Sequence, residues 1–584
     1  MSHIIPYGHM VQDYYVRQVR SVAAERRMRR AKIHTATAAA HLVHDVRAKV
    51  ARCFGSFPSR TPLAPIVTGI VQRPRYRIEN VIFHSRPNFP VTANLYLPQQ
   101  VKGPCPGVIG TCGHSLLGKA AAAYQSFCQS LAQQGFVVLI YDPISQGERK
   151  QYVAERHPLA PTSLCAEHNM LGNRMQLMGD WFGTWCAWDG IRALDYLLTR
   201  PEVDPTRIGV TGNSGGGTLA AYLNALDDRF TMAAPSCFVT TYVRNIENEL
   251  PQDSEQIPPG FLAAGLDMAD FFIAQAPRPT LLLGQRNDFF DSRGLEETYE
   301  EVRRVYALLG AENRVALYIG PDEHGYHRKN REAMYAFFAR HAGLRARRNE
   351  SRIKVEAEAT LQCTHQGQVV TERPGCRTVF DFTRMEAEAL ARRTPLTLAQ
   401  VCEAARAALN LDMPDRSPAY RRIGHIRENS KDHPLHISRF AVETEADIQA
   451  LLFFIPPKGA AIRHHLEGAT TTTLYLPHLA SRADIENHEL DFMTETGGGF
   501  ALDPRGVGES LPLTCFFGDF FNSYDSDFLC ACVGSLLGTP YLSGKVFDVL
   551  GTLRLLHEHG YKKIHLVGRG LGAITGAFAA LLSK

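Results

Sequence analysis

Residues 9–53 contain neither glycine nor proline, and their apolar positions recur at helical spacing, as Val16, Val19 and Val22 do. That periodicity predicts long helices at the amino-terminal end. From Phe57-Pro58 onward the texture changes to short apolar runs punctuated by proline. Two of them, 78–83 (IENVIF) and 92–97 (TANLYL), predict antiparallel strands. Between about 105 and 340, five runs read as strands buried on both faces: 107–110, 136–140, 208–211, 280–283 and 315–319. Helical patterns separate them, and this alternation is the signature of parallel βαβ construction. Residues 345–372 are charged and weakly periodic, with Arg345, Arg347, Arg348 and Lys354 among several glutamates, which predicts a domain boundary near 345.

The second half carries a weaker copy of the first. Residues 93–98 (ANLYLP) match 451–456 (LLFFIP), and Tyr141-Asp142-Pro143 with Gly147-Glu148 matches Leu502-Asp503-Pro504 with Gly508-Glu509. Trp188-Asp189-Gly190 matches Phe547-Asp548-Val549, and 208–216 (IGVTGNSGG) match 564–572 (IHLVGRGLG). The four matches keep one order, and their offsets stay between 356 and 361 positions, which predicts two related domains in tandem. The expected division is a helical extension at 1–56, a first α/β domain at 57–345, a connecting segment at 346–400 and a second, truncated α/β domain at 401–584.

Composition changes this picture little. With 584 residues, 45% hydrophobic and 21% charged, the chain is an ordinary globular protein too long for one core. Lys+Arg 63 against Asp+Glu 59 leaves a net charge of +4, too small for a broad nucleic-acid or membrane surface. The arginines at 17, 20, 26, 27, 29 and 30 read as a solvated helix face rather than a nucleic-acid arm. No apolar run reaches the roughly 18 residues of a membrane span. Thirteen cysteines without a CxxC pair read as reduced thiols, so no metal site and no cofactor are expected. The amino terminus lacks a secretory pattern, which makes a cytoplasmic location the expectation. Nothing in the sequence specifies an oligomeric state.

The strongest chemical signal is Gly212-Asn213-Ser214-Gly215-Gly216, a G-x-S-x-G after an apolar strand and before a helix-forming run. That context fits a nucleophile elbow, in which the glycines permit a tight turn that lifts the Ser214 hydroxyl above the sheet. A phosphate cradle is the rival for a glycine-rich strand-to-helix turn, but no Lys follows the glycines. A serine nucleophile needs an acid and a histidine, in that chain order. Asp288 lies just past the strand at 280–283, with Asp291 as the alternative acid; His324 lies just past the strand at 315–319, with His327 in reserve. The two oxyanion donors are expected from the main chain of Gly215 and of His114 or Gly113, in the loop after 107–110. The three tryptophans, at 181, 185 and 188, share a helix face that reads as core in preference to a sugar-stacking wall. The irregular stretch 149–180, with Arg149, Arg156, His157, His168 and Arg174, reads equally as a substrate-facing insertion or a surface loop.

On these motifs, residues 57–340 resemble the α/β-hydrolase superfamily, and most of all its acetyl xylan esterase and cephalosporin-C deacetylase branch. The phrases that carry the resemblance are Cys112-Gly113-His114, Tyr141-Asp142-Pro143 with Gln146-Gly147-Glu148-Arg149, Trp188-Asp189-Gly190-Ile191-Arg192, 212–217 and Asp322-Glu323-His324-Gly325. The resemblance implies an α/β-hydrolase fold and a serine esterase that removes acetyl or other small acyl groups from a small-molecule or carbohydrate ester. The chain departs from the family where Gly215 follows the nucleophile in place of Gln. The alternatives are a serine peptidase of prolyl-oligopeptidase type, although no propeller repeat is visible, and a non-catalytic hydrolase-fold binding protein. In the second domain Gly568-Arg569-Gly570-Leu571-Gly572 puts Gly570 at the nucleophile position, and too few residues follow for an acid and a His, so this domain is expected to hold no triad.

Overall fold

The structure, a computed structural model, describes residues 7–99, 103–152, 164–345, 349–350, 352–392, 394–412, 414–429, 434–468, 470–513 and 527–583. Arg156, His157, Arg347 and Arg348 lie outside these residues. The chain forms two compact units: a large one on Val22–Arg393, and a small one on Met1–Ser21, Thr394–Gly518 and Tyr524–Lys584. Both are α/β. No described helix is long and apolar enough to cross a membrane.

Two amino-terminal helices, α1 (Met10–Ala31), which belongs to the large unit from Val22 on, and α2 (Ala36–Phe54), precede the nine strands of the large unit. These are β1 (Ile66–Gln72), β2 (Tyr76–Arg86), β3 (Phe89–Pro98), β4 (Cys105–Thr111), β5 (Val137–Tyr141), β6 (Val203–Asn213), β7 (Met232–Ser236), β8 (Thr280–Asn287) and β9 (Val315–Glu323). Their order in the sheet is β1-β2-β3-β5-β4-β6-β7-β8-β9. β1, β2, β3 and β5 pair antiparallel, and every pair from β5 to β9 is parallel.

Continuous apolar runs make the central strands because both faces are covered. Val108, Val138 and Ile140 face a cluster with Phe127 and Leu131 of α3 (Ala122–Gln133) and Phe338 of the helix Arg328–His341. Ile109, Val137 and Leu139 face the opposite cluster, with Trp188 and Leu194 of α5 (Phe182–Leu197) and Leu223 of α6 (Gly215–Leu226). α4 (Leu164–Leu177) precedes α5 in the chain. β7, Met-Ala-Ala-Pro-Ser, has no β-branched residue and gives no strand signal of its own. Its pairing runs from Gly209↔Met232 to Asn213↔Ser236, so β6 holds it extended.

Several expectations are resolved by burial. All three tryptophans are core: Trp181 Nε1 donates to the Ser254 carbonyl (2.7 Å), Trp185 Nε1 to Asp180 and Trp188 Nε1 to the Ser85 carbonyl, and none forms an exposed wall. Arg26 and Arg30 are not solvated. They clamp the fully buried Asp270 at 2.7 and 2.6 Å, and Arg26 also reaches Glu301, so these charges are spent inside the unit. Arg149 is likewise buried, donating to Asp189 and to the Pro90 and Asp142 carbonyls, while Arg174 lies over the Tyr152 and Phe380 rings. The described cysteines form no disulfide.

The segment expected to connect the domains packs, through residues 352–392, as part of the large unit. Leu361, Cys363, Val369 and Val370 are buried, and Asn80 and Asn94 donate to the carbonyls of Thr360, Leu361 and Gln362. The Glu148 carboxylate accepts the amides of Cys363 (2.7 Å) and Thr364 (2.9 Å) and the Thr364 hydroxyl. Its polar composition conceals this role because its contacts are made largely by backbone groups.

The small unit holds β10 (Ala419–Asn429), β11 (Pro434–Glu445), β12 (Ile448–Ile455), β13 (Thr471–Leu476), β14 (Gly499–Asp503) and β15 (Lys563–Gly568), in the order β10-β11-β12-β14-β13-β15. This is the order of β1 to β6, with the same antiparallel and parallel pairings. The four repeated sequence phrases fall in β3 and β12, after β5 and β14, in α5 and the helix Tyr541–Glu558, and at the ends of β6 and β15.

A chain of residues 22–349 should be markedly less stable than one of 22–393. Losing the charged hydrogen bonds to Glu148 and the apolar contacts of 361–370 removes more than about 3 kcal/mol. The check is calorimetry; equal melting temperatures would show that 352–392 only decorates the fold.

Candidate active site

Strand β6 ends at Asn213, and α6 begins at Gly215, leaving Ser214 at the turn with φ 60° and ψ −126°. A non-glycine residue pays roughly 1–3 kcal/mol in that region of backbone space, so its surroundings must hold it there. Ser214 N–H donates to the Ser236 carbonyl of β7 (2.9 Å), and Thr218 N–H donates to the Ser214 carbonyl (2.9 Å). The turn is too crowded for side chains around it. A Cβ on Gly216 would lie 2.3 Å from the Thr111 carbonyl oxygen, and one on Gly113 would lie 2.3 Å from that of Asn213 and 2.9 Å from Ser214 Cβ. The loop after β4 is thereby pressed against Ser214, whose side is partly open.

The acid and the histidine meet through sheet register. β8 and β9 are parallel, with Asn287 opposite Glu323, so Asp288 and His324 both follow the last pair. His324 Nδ1 lies 2.9 Å from Asp288 Oδ1, which also accepts the Phe290 amide. Asp288 is buried and His324 is partly exposed, stacked on the exposed ring of Phe289 at 4.2 Å. Asp291 does not approach His324. It caps the helix Ser292–Leu308 and binds Arg293 and Asn248, which hold its carboxyl well below the usual range. His327 is exposed at the start of the helix Arg328–His341.

A chain of bonds links these loops. Tyr326 Oη is 2.6 Å from Thr211 Oγ1, and the Cys237 thiol donates to the Gly325 carbonyl (3.4 Å). Burial, then the neighbouring Asp288, pushes that thiol up to about 12. On the other side Gly113 N–H is spent on Tyr124 Oη (2.6 Å), and Ser115 N–H donates to Gln146 Oε1 (2.8 Å). Beneath this loop Lys119 Nζ lies 2.6 Å from both Asp142 and Glu148, all three buried.

Four strand ends thus deliver Ser214, Asp288, His324 and the 112–115 loop to one rim of the sheet, as in a hydrolase. Residues 71–256 match the acetyl xylan esterase (AXE1) family, a stretch that includes Ser214 and His114 and stops before Asp288 and His324. The match supports a hydrolase of the esterase class. A relative named "Putative hydrolase YtaP", from Bacillus subtilis (strain 168), is 26% identical over 277 residues, 45% of this chain and 88% of its own. Among solved structures, Methylesterase BT1017 shares the fold at a TM-score of 0.50 and 23% identity, covering 64% of this chain and 81% of its own.

The matched stretch also brings His114 and His168 together with Asp253 and Glu255, which no sequence motif marks. His114 Nε2 and His168 Nδ1 each lie 3.1 Å from Asp253 Oδ2, and Glu255 Oε1 is 3.7 Å from His114 Nε2. Burial would lower His168, but the Asp253 carboxylate raises it to about 9. Burial pushes Glu255 up to about 7, whereas the two histidines overcome burial at Asp253 and hold it well below the carboxylate range. Asp253 and Glu255 lie in an irregular polar stretch with no periodic or motif signal. Only the folded chain brings them to His114 and His168.

The small unit repeats the elbow without the serine. Gly570 has φ 53° and ψ −118°, close to Ser214, but the following Leu571 N–H donates to His478 Nδ1 (3.2 Å), and a Cβ on Gly570 would lie 2.4 Å from that nitrogen.

Replacing Lys119 by Met should cost about 3–5 kcal/mol, because it leaves Asp142 and Glu148 as buried carboxylates without their cation. Denaturant unfolding of the full chain checks this; a cost under about 1 kcal/mol would show that Lys119 is not what holds the two carboxylates.

Proposed function

We propose that the large unit is a serine esterase that removes acetyl or other small acyl groups, from a carbohydrate, through a covalent Ser214 acyl-enzyme. The observation that carries the reading is the 2.9 Å contact of His324 Nδ1 with Asp288, at the rim where the strained elbow lifts Ser214. With Nδ1–H donated to Asp288, Nε2 is the basic nitrogen. It takes the Ser214 proton as Oγ attacks the ester carbonyl, and returns it to the departing sugar hydroxyl. A water activated by the same nitrogen then releases the acid. The developing oxyanion is held by the Gly215 amide, at the positive end of α6, and by the His114 amide. Gly113 is not used, since its N–H is committed to Tyr124. The acetyl group and the carbohydrate come from the family matched by residues 71–256. Removing an acyl group from a sugar requires no cofactor in this scheme.

The small unit is read as a hydrolase fold without a reaction. Gly570 brings no hydroxyl, and His478 occupies the amide that would otherwise receive an oxyanion.

On p-nitrophenyl acetate, Ser214→Ala should lower kcat/KM by at least about 10³-fold with the circular dichroism spectrum unchanged. Wild-type turnover in that variant would remove Ser214 from the mechanism. Asp288→Asn should cost about 10⁴-fold by favouring the wrong imidazole tautomer, and Asp291→Asn less than about tenfold; a reversed ranking would make Asp291 the acid. Acetate release from acetylated xylo-oligosaccharides, compared with methanol release from a methyl uronate, tests the leaving group. Adding Gly570→Ser to Ser214→Ala should restore no turnover.

A further inference from the structure

We infer that His114, His168, Asp253 and Glu255 form a binding site for a divalent transition metal of the zinc class, directly behind the Gly215 amide. The site does not depend on the serine esterase reading. Its four donor atoms come from three separate segments: the loop after β4, α4, and the turn Ser254–Gln256 with the aspartate that caps it. All four lie within 4.8 Å of one another. A tetrahedral ion with bonds of about 2.0–2.1 Å holds its donors about 3.3 Å apart. Three of the six separations, 3.1, 3.1 and 3.7 Å, bracket that value, and the others lie within 4.8 Å. Two imidazole nitrogens with two carboxylates are a donor set suited to zinc and its neighbours rather than to magnesium or calcium.

The orientation of His168 is an independent observation. Its Nε2 lies 2.9 Å from the Ile144 carbonyl, which can only accept, so Nε2 carries the proton. In a neutral ring Nδ1 then presents a lone pair to Asp253 Oδ2, and two acceptors 3.1 Å apart need a proton or a metal ion between them. A backbone carbonyl on the far nitrogen is also how metal-bound histidines are held. Asp253 is oriented in the same way, with Oδ1 accepting the Glu255 amide (3.1 Å). His168, Asp253 and Glu255 are 0, 1 and 2% exposed, and no described Lys or Arg pairs with either carboxylate. With both rings neutral and both carboxyls ionised the set carries two negative charges in a dry place, which one divalent ion neutralises. His114, 11% exposed, is the side by which an ion enters. A Cβ on Gly215 would lie 2.6 Å from Glu255 Oε1 and 2.9 Å from His114 Cε1, so a bound ion fastens the segments that back the elbow.

The competing arrangement is a pair of imidazolium rings held by two carboxylates, with protons in place of the ion. The test uses the full chain, stripped with a chelator and reloaded with Zn²⁺ or Co²⁺. We expect about one equivalent of zinc by elemental analysis, a melting temperature several degrees higher with Zn²⁺ than with Mg²⁺, and the visible absorption of tetrahedral Co²⁺. His168→Gln and Glu255→Gln should each weaken zinc affinity at least tenfold against a chelating dye, while Ser214→Ala binds as the wild type does. If His168→Gln does not fold, the Glu255→Gln titration and the wild-type cobalt spectrum still decide. Absence of zinc uptake and of cobalt absorption, with a melting temperature indifferent to chelator, would overturn the site and leave the proton-held network.

Discussion

The tight packing around Ser214 is the constraint on which the rest of the large unit depends. A serine at φ 60° persists only where its neighbours leave no alternative, and here they do so by having no side chains. Gly212 and Gly216 lie against Thr111, Gly217 against the Ser236 carbonyl, and Gly113 against Asn213, each so closely that a Cβ would overlap a backbone or side-chain oxygen. The same contacts bring the loop after β4 beside the nucleophile position. Strain and placement are two results of one packing arrangement.

Buried charge carries the next level of order. Lys119 with Asp142 and Glu148 anchors the turn after β5, and Glu148 in turn gathers Cys363 and Thr364 from a distant part of the chain. Arg149 on Asp189 has a counterpart in the small unit, where Arg505 is buried on Asp548 at 2.6 Å. The two arginines stand at different places in their turns, yet each bonds the aspartate of the equivalent helix. Such pairs add little net stability over apolar packing, but each fixes where a turn sits.

The two units share a strand order and a turn geometry but not the residue at the turn. β10 to β15 repeat the order of β1 to β6, and the elbow backbone at Gly570 matches that at Ser214. Glycine adopts this conformation without strain, and the turn keeps the same close packing, a Cβ on Gly572 lying 2.2 Å from the Leu476 carbonyl oxygen. Where the large unit presses a glycine loop on the elbow, the small unit presses His478. The amide that follows the turn is then occupied from within the protein.

Local pattern by itself determined a good part of this protein. Runs buried on both faces marked β4, β5, β6, β8 and β9, and the glycines around Ser214 marked the elbow, because side-chain periodicity and backbone freedom are properties of neighbouring residues. The repeat was legible for the same reason. Tertiary structure decided what depends on distant partners. β7 is a strand because β6 and β8 flank it, residues 352–392 belong to the core through backbone bonds that composition does not record, and Arg26 is buried and Arg30 half-buried because Asp270 lies where they end. Register alone, Asn287 opposite Glu323, put Asp288 rather than Asp291 against His324. The meeting of His114, His168, Asp253 and Glu255 lies furthest from the reach of sequence, since three segments without a shared motif converge only when the sheet is complete.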